Sequence, residues 1–215
     1  YYYCPRMLRR PFNESGTWDV NSIDRHTILI SQGNYPIKGV HFAFIAIAAL
    51  KEKYPDIKLI VTGNNMFLNM TGWHRFLRTG YMRYLYDLAK NLNIMEHIEF
   101  TGTKNAAEMA ELGRRVHIAV IPSAIDNAPN TLAEAMMIGT PCIASYVGGN
   151  MDMMKHGEEG FLYCFNEPYM LAEYITQIFE SDQLAMELSA NARKTAKKCH
   201  DPDTLTKQLK SIYSA

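Results

Sequence analysis

The stretch Val116-His117-Ile118-Ala119-Val120-Ile121-Pro122-Ser123-Ala124-Ile125-Asp126-Asn127-Ala128-Pro129-Asn130-Thr131-Leu132-Ala133-Glu134-Ala135-Met136-Met137-Ile138-Gly139-Thr140-Pro141-Cys142-Ile143-Ala144-Ser145 decides the fold. Residues 116–122 form a near-continuous apolar run, as a strand buried on both faces of a parallel sheet requires. A polar loop with Pro129 follows, then a helical segment over 130–138 that Gly139 stops. Residues 142–145 read as the next strand. A strand, a short helix and a second strand joined this tightly make a βαβ unit.

Working outward, the same rhythm recurs. Strands are expected at 27–31, 57–62, 98–101 and 161–164, and helices at 39–54, 81–91 and 106–113. Gly148-Gly149 opens a further short helix, and amphipathic helices over 168–180, 182–199 and 202–213 close the chain. The implied fold class is α/β: a Rossmann-like parallel sheet of about six strands with helices on both faces. Residues 1–25 read as an irregular arm or interdomain segment, 26–200 as the Rossmann-like domain and 201–215 as a C-terminal helix. In the arm, Arg6, Arg9 and Arg10 read as a solvated edge or as contacts for an anion.

Composition narrows the function. The 215 residues are 47% hydrophobic and 20% charged, enough for a packed core. Lys plus Arg and Asp plus Glu are 22 each, which argues against nucleic acid as a partner. The longest apolar run, residues 42–50, is nine residues, short of the roughly 18–20 that cross a bilayer. The chain begins at Tyr1 and reads as a piece of a longer protein. Its four cysteines (Cys4, Cys142, Cys164, Cys199) have no metal-ligand spacing and read as reduced, mostly buried thiols. No Gly-x-Gly-x-x-Gly follows the first strand and no Walker lysine follows a glycine loop, so dinucleotide dehydrogenases and P-loop ATPases are disfavoured.

Ligands of such sheets bind beyond the carboxyl ends of the strands, here the loops 33–38, 63–65, 102–104, 122–130 and 146–150. Lys38 stands where the first helix begins. A cation there opposes the helix dipole unless an anion is bound between them, so it is either a solvated lysine at a frayed end or a phosphate ligand. Glu134 is the charged residue of an otherwise apolar helix. It either suits the dipole or accepts hydrogen bonds from a ribose diol. The first-turn N–H groups of Asn130 and Thr131 could hold a diphosphate. Gly148-Gly149 allows backbone to approach a ligand, or is an ordinary turn.

Taken together these features resemble family 4 of the retaining glycosyltransferases. The resemblance rests on Asp126, seven residues, then Glu134, followed by Ala135-Met136-x-x-Gly139-x-Pro141-x-Ile143-Ala144-Ser145-x-Val147-Gly148-Gly149. It extends back through Phe100-Thr101-Gly102, Tyr54-Pro55-Asp56-Ile57-Lys58-Leu59 and Pro36-Ile37-Lys38-Gly39, and forward through Gly157-x-x-Gly160-Phe161-Leu162. It covers roughly residues 27–200, the carboxyl-terminal, donor-binding half of the family's two-domain GT-B fold.

The resemblance implies a hexose moved from a nucleoside diphosphate sugar to an acceptor hydroxyl with retention, no cofactor or metal, and a role in polysaccharide assembly in the cytoplasm. It implies an N-terminal acceptor-binding domain absent from this sequence, without which the piece is inactive. It also implies Asp126 beside the donor sugar as the catalytic carboxylate, Glu134 on the ribose, Lys38 on the diphosphate, and Asn64 and Thr103 in the loops around the base. Gly33 stands where the family often has an arginine in Gly-Arg-x-x-x-x-Lys-Gly. The shorter Asp126 and the lost arginine leave open a non-catalytic nucleotide-binding module. A nucleotide-sugar epimerase of the same fold is a further alternative. Residues 66–80, with Trp73, Phe76 and Leu77 at helical spacing, read as a packing helix or as a contact with the missing domain or the inner face of a membrane.

Overall fold

The computed structural model describes residues 5–14, 16–68, 70 and 72–214. Six strands, β1 (Asp24–Ile30), β2 (Lys58–Val61), β3 (Ile98–Phe100), β4 (Val116–Ile121), β5 (Cys142–Ser145) and β6 (Phe161–Tyr163), form one sheet in the order β3-β2-β1-β4-β5-β6. Every pairing is parallel, with Leu29 beside Ile60 on one side and Ala119 on the other. All six residues of β4 are buried, and since neighbouring side chains point to opposite faces, both faces are covered.

The helices are α1 (Arg10–Glu14), α2 (Val40–Leu50), α3 (Gly80–Asn91), α4 (Ala106–Arg115), α5 (Asn130–Ile138), α6 (Asn150–Met153), α7 (Pro168–Glu180), α8 (Asp182–Cys199) and α9 (Pro202–Tyr213). α2 packs on α7, and α5 packs between α4 and α8. α2 ends at Leu50, short of the expected 54; residues 51–53 are turns, and Pro55 disfavours helical backbone at Tyr54. Among the described residues no helix is long and apolar enough to cross a membrane.

Three expectations change. The opening segment is built into the core: Leu8, Phe12, Trp18 and Val20 are buried, and Trp18 Nε1 donates to the Val116 carbonyl at 2.9 Å. Among the described side chains of 66–80, Met66 and Met70 are the buried ones, while Trp73 and Leu77 on the 3-10 helix Gly72–Leu77 are exposed, so these two do not form the apolar face of a packing helix. The side chain of Phe76 lies outside the description. Of the cysteines, Cys142 is buried, and burial pushes its thiol up to about 12, whereas Cys164 and Cys199 are exposed; Cys4 lies outside the described residues.

At the amino ends of the strands, His117 is fully buried and stacks on Phe179 with ring centroids 4.7 Å apart. The His26 backbone N–H lies 3.4 Å from its Nδ1. Burial, reinforced by Arg25 and His26, pushes its pKa down to about 4. The unfolded chain therefore binds this proton more readily than the folded one, and stability falls as pH drops from the ordinary value near 6.5 towards 4. The gap corresponds to roughly 3 kcal/mol at most. His117→Asn, which keeps an acceptor for the His26 N–H, is expected to flatten this limb in urea titrations across pH 4–7.

Candidate functional site

From β1 the chain winds to β2 and β3 on one side, and from β4 to β5 and β6 on the other. The loops leaving β1 and β4 therefore part and leave a crevice at the carboxyl edge of the sheet. The first loop ends in a 3-10 turn, Pro36–Lys38. It is bound to the second by Ala124 N–H donating to the Ile37 carbonyl at 2.7 Å. Gly39 has φ 69°, and a Cβ on it would lie 1.9 Å from the Pro122 oxygen, so the two loops close on each other only with glycine there.

Across this junction Lys38 Nζ donates to Asp126 Oδ2 at 2.9 Å, and Ser123 Oγ donates to the same oxygen at 3.2 Å. Lys38 is thus neither a solvated lysine nor an unopposed charge at a helix start; a partly buried carboxylate holds it.

α5 forms because Leu132, Ala133, Ala135, Met136 and Met137 favour helix and are all buried, and Gly139 at φ 92° receives the chain in the left-handed region. Its first turn has no side-chain cap. Glu134 is buried one turn in. Arg9 reaches over it with a two-pronged clamp, Nε to Oε1 at 2.8 Å and Nη2 to Oε2 at 2.9 Å. That contact pushes the Arg9 guanidinium higher still than its ordinary value. Of the three arginines expected at a solvated edge, Arg9 is therefore a component of the site.

Arg9, Glu134 and Thr131 line a cleft of about 320 Å³ whose opposite wall carries Asn64, Thr103 and Lys104. That wall is set by Gly63 N–H donating to the Gly102 carbonyl at 2.9 Å, which joins the loops after β2 and β3. Gln32 and Asn34 complete the floor, and the buried Asn34 Oδ1 has no partner among the described residues. A smaller cavity that shares Ser31, Gln32 and Thr131 with this cleft reaches Lys38 and Ser123.

Three sequence expectations are not met by this geometry. Gly33 does not face the cleft: a Cβ on it would lie 2.9 Å from Met66 Cε and 3.0 Å from Val40 and Val61, so the position points into the core and cannot present a side chain to a ligand. Asn130 lies beside Asn127, Met136 and His200 at a separate cavity of about 250 Å³. The open space at Gly148-Gly149 is taken by protein: Cβ atoms there would lie 2.0 Å from the Asp126 oxygen and 1.8 Å from the Asn127 oxygen. Among the described residues no group of three or more His, Cys, Asp or Glu side chains is placed to hold a metal ion.

In open parallel sheets of this kind, ligands bind in the crevice at the reversal point, where this polar cleft lies. A family model described as glycosyl transferases group 1 matches residues 18–195, and the chain belongs to that family. It is 28% identical over 195 residues to the putative glycosyltransferase YtcC of Bacillus subtilis, covering 89% of this chain and 46% of that protein. It is 31% identical over 184 residues to the uncharacterized glycosyltransferase MJ1178 of Methanocaldococcus jannaschii, covering 80% and 46%. The chain thus spans less than half the length of these relatives. Among solved structures, Anabaena HepE in complex with UDP superposes with a TM-score of 0.75 at 22% identity over 88% of this chain and 49% of that one. The C-terminal domain of a glycosyl transferase group 1 family protein, LpcC of Francisella tularensis, superposes at 0.67 with 18% identity over 91% and 94%. At these identities the structural likeness establishes the fold.

Two stability outcomes follow from the geometry. Lys38→Ala leaves Asp126 partly buried with Ser123 as its remaining side-chain donor, and unfolding free energy should fall by about 1 kcal/mol, not rise as relief of a dipole clash would give. Gly149→Ala should cost about 1–3 kcal/mol, because backbone rather than a side-chain tip must move. Denaturant melts of the two variants check both.

Proposed function

We propose that this domain binds the donor of a retaining glycosyltransferase, a nucleoside diphosphate hexose, whose sugar passes to an acceptor hydroxyl held by a further domain of the longer protein. The observation that carries this reading is a cleft at the sheet reversal lined by a buried carboxylate and two polar loops, with the paired Lys38 in an adjoining cavity that shares Ser31, Gln32 and Thr131 with it. The orphaned Asn34 Oδ1 in its floor supports a polar ligand there. Similar proteins are solved with UDP and UDP-glucose, as HepE is.

In this reading the base lies between the loops of Asn64 and Thr103, and the ribose diol donates to Glu134. The diphosphate sits towards Lys38 and the uncapped first turn of α5, with Thr131 offering its backbone N–H group. As the glycosidic bond breaks, negative charge gathers on the leaving diphosphate. Lys38 and the helix start are fixed donors for that charge, so they stabilise the transition state more than the ground state. Asp126 has two tasks: it holds Lys38 in place and borders the space for the donor sugar. Retention, polysaccharide assembly and a cytoplasmic location belong to this proposal for the longer protein, as does chemistry without a metal.

Thermal-shift screening of nucleoside diphosphates and their sugars should identify a ligand, and calorimetry on variants then tests the roles. Glu134→Gln is expected to lose about tenfold or more in affinity, the scale of charge-assisted hydrogen bonds worth about 1.5–3 kcal/mol. Lys38→Ala should lose more for the nucleoside diphosphate than for the nucleoside, and the difference should shrink in high salt. Equal losses for both ligands would remove Lys38 from the diphosphate site, and no binding by any nucleotide at millimolar concentration would sink the proposal. The chain alone should bind donor without transferring sugar, because the acceptor is not positioned; product formed by these 215 residues would overturn the division of labour.

A further inference from the structure

We propose that Arg9 is a positioning residue of the nucleotide site: it fixes the Glu134 carboxylate so that the site demands a ribose diol. This rests on the reading of the cleft as a nucleotide site and adds a residue from the opening segment, outside every motif that suggested that reading.

The Glu134 side chain is 6% exposed and that of Arg9 54%, so the guanidinium pairs with a buried carboxylate while both residues line the cleft. On α5 the residues one turn away are Asn130 and Ile138, and the helix offers Glu134 no cation of its own. Arg9 is itself restrained. Its Cζ lies 5.0 Å from the centroid of the buried Phe12 ring, Leu8 before it is buried, and the His200 ring N–H holds the Arg6 carbonyl at 2.8 Å.

A two-pronged clamp fixes the plane of a carboxylate as well as its position. A carboxylate accepts about four hydrogen bonds, so the two from Arg9 leave room for two ribose hydroxyls. Displacing Arg9 would break two charge-assisted bonds beside a buried charge, whereas sharing Glu134 breaks none. The ligand is therefore accommodated with Arg9 in place, and the diol meets a carboxylate already aimed.

The test is the preference for ribose over 2′-deoxyribose. Dissociation constants for UDP and 2′-deoxy-UDP, or the same pair for whichever base binds best in the screen, are measured on the 215-residue chain and on Arg9→Gln and Arg9→Lys, with a thermal melt of each. The unaltered chain is expected to favour the ribonucleotide by about tenfold or more, as one lost charge-assisted hydrogen bond implies. Arg9→Gln should bind more weakly and cut the preference to about threefold or less, and Arg9→Lys, with the charge but not the fork, should fall between. An unchanged preference in both variants, even with a lowered melting temperature, makes Arg9 a structural clamp and overturns the inference. Tighter binding by Arg9→Gln would also overturn it, by showing that Arg9 competes with the ligand. If the unaltered chain binds no nucleotide, the proposed function fails and this inference with it; if it binds and only the ratio fails to move, the proposed function stands alone.

Discussion

β1 and β4 pair in space although two strands and three helices separate them in sequence, and the divergence of the loops at their carboxyl ends creates the site. Right-handed crossovers keep a run of parallel strands winding in one direction, so reversing direction requires the chain to cross back to the middle of the sheet. That return is made by α4 entering β4, whose six residues are all buried. Once β4 is sealed on both faces, its next residues must emerge into the gap beside the loop from β1. The positions of Lys38, Asp126, Thr131 and Glu134 follow from that exit.

The loops in the gap are held by close backbone approach. Gly39 meets the Pro122 carbonyl, and Gly148-Gly149 meets the carbonyls of Asp126 and Asn127. Three glycines thus fix the loop that carries Asp126 from two sides. Gly149 N–H adds a hydrogen bond to the Asp126 carbonyl at 3.1 Å. This packing gives a polar loop the rigidity that a binding site on a loop otherwise lacks.

The alternation of apolar strands and helices was legible because each element carries its own period. Strand order and the reversal point were not legible there, because they depend on which strands pair across the sheet rather than on any one element's period. What was illegible depended on contacts between distant segments. Arg9 and Glu134 are 125 positions apart, and nothing local to either announces the other; an uncompensated carboxylate in an apolar helix was the available signal that a cation had to arrive from elsewhere. The opening segment looked irregular because its apolar residues Leu8, Phe12, Trp18 and Val20 are spaced for no regular element, yet each fills a place in the core. The glycines were visible, but whether a glycine makes room for ligand or for neighbouring backbone is decided by what packs against it.

The charges bear on how the proposed donor site would meet an anion on a chain of zero net charge. Two of the cations around the site are matched in the resting molecule, Lys38 by Asp126 and Arg9 by Glu134, while Lys104 on the cleft wall has no ion-pair partner among the described residues. The two pairs largely cancel their own fields, which leaves Lys104 as the cation that can draw an anion towards the cleft from a distance. In the proposed reading, selectivity comes from short-range geometry: carboxylate lone pairs still open for hydroxyls, lysine N–H groups not used by Asp126, and the uncapped start of α5. Unpaired cations at the same places would raise affinity for any polyanion, whereas pre-paired ones reward a ligand that carries hydroxyl donors and phosphate acceptors at the right separation. Pairing Lys38 and Arg9 to carboxylates thus exchanges general attraction for discrimination at those two positions.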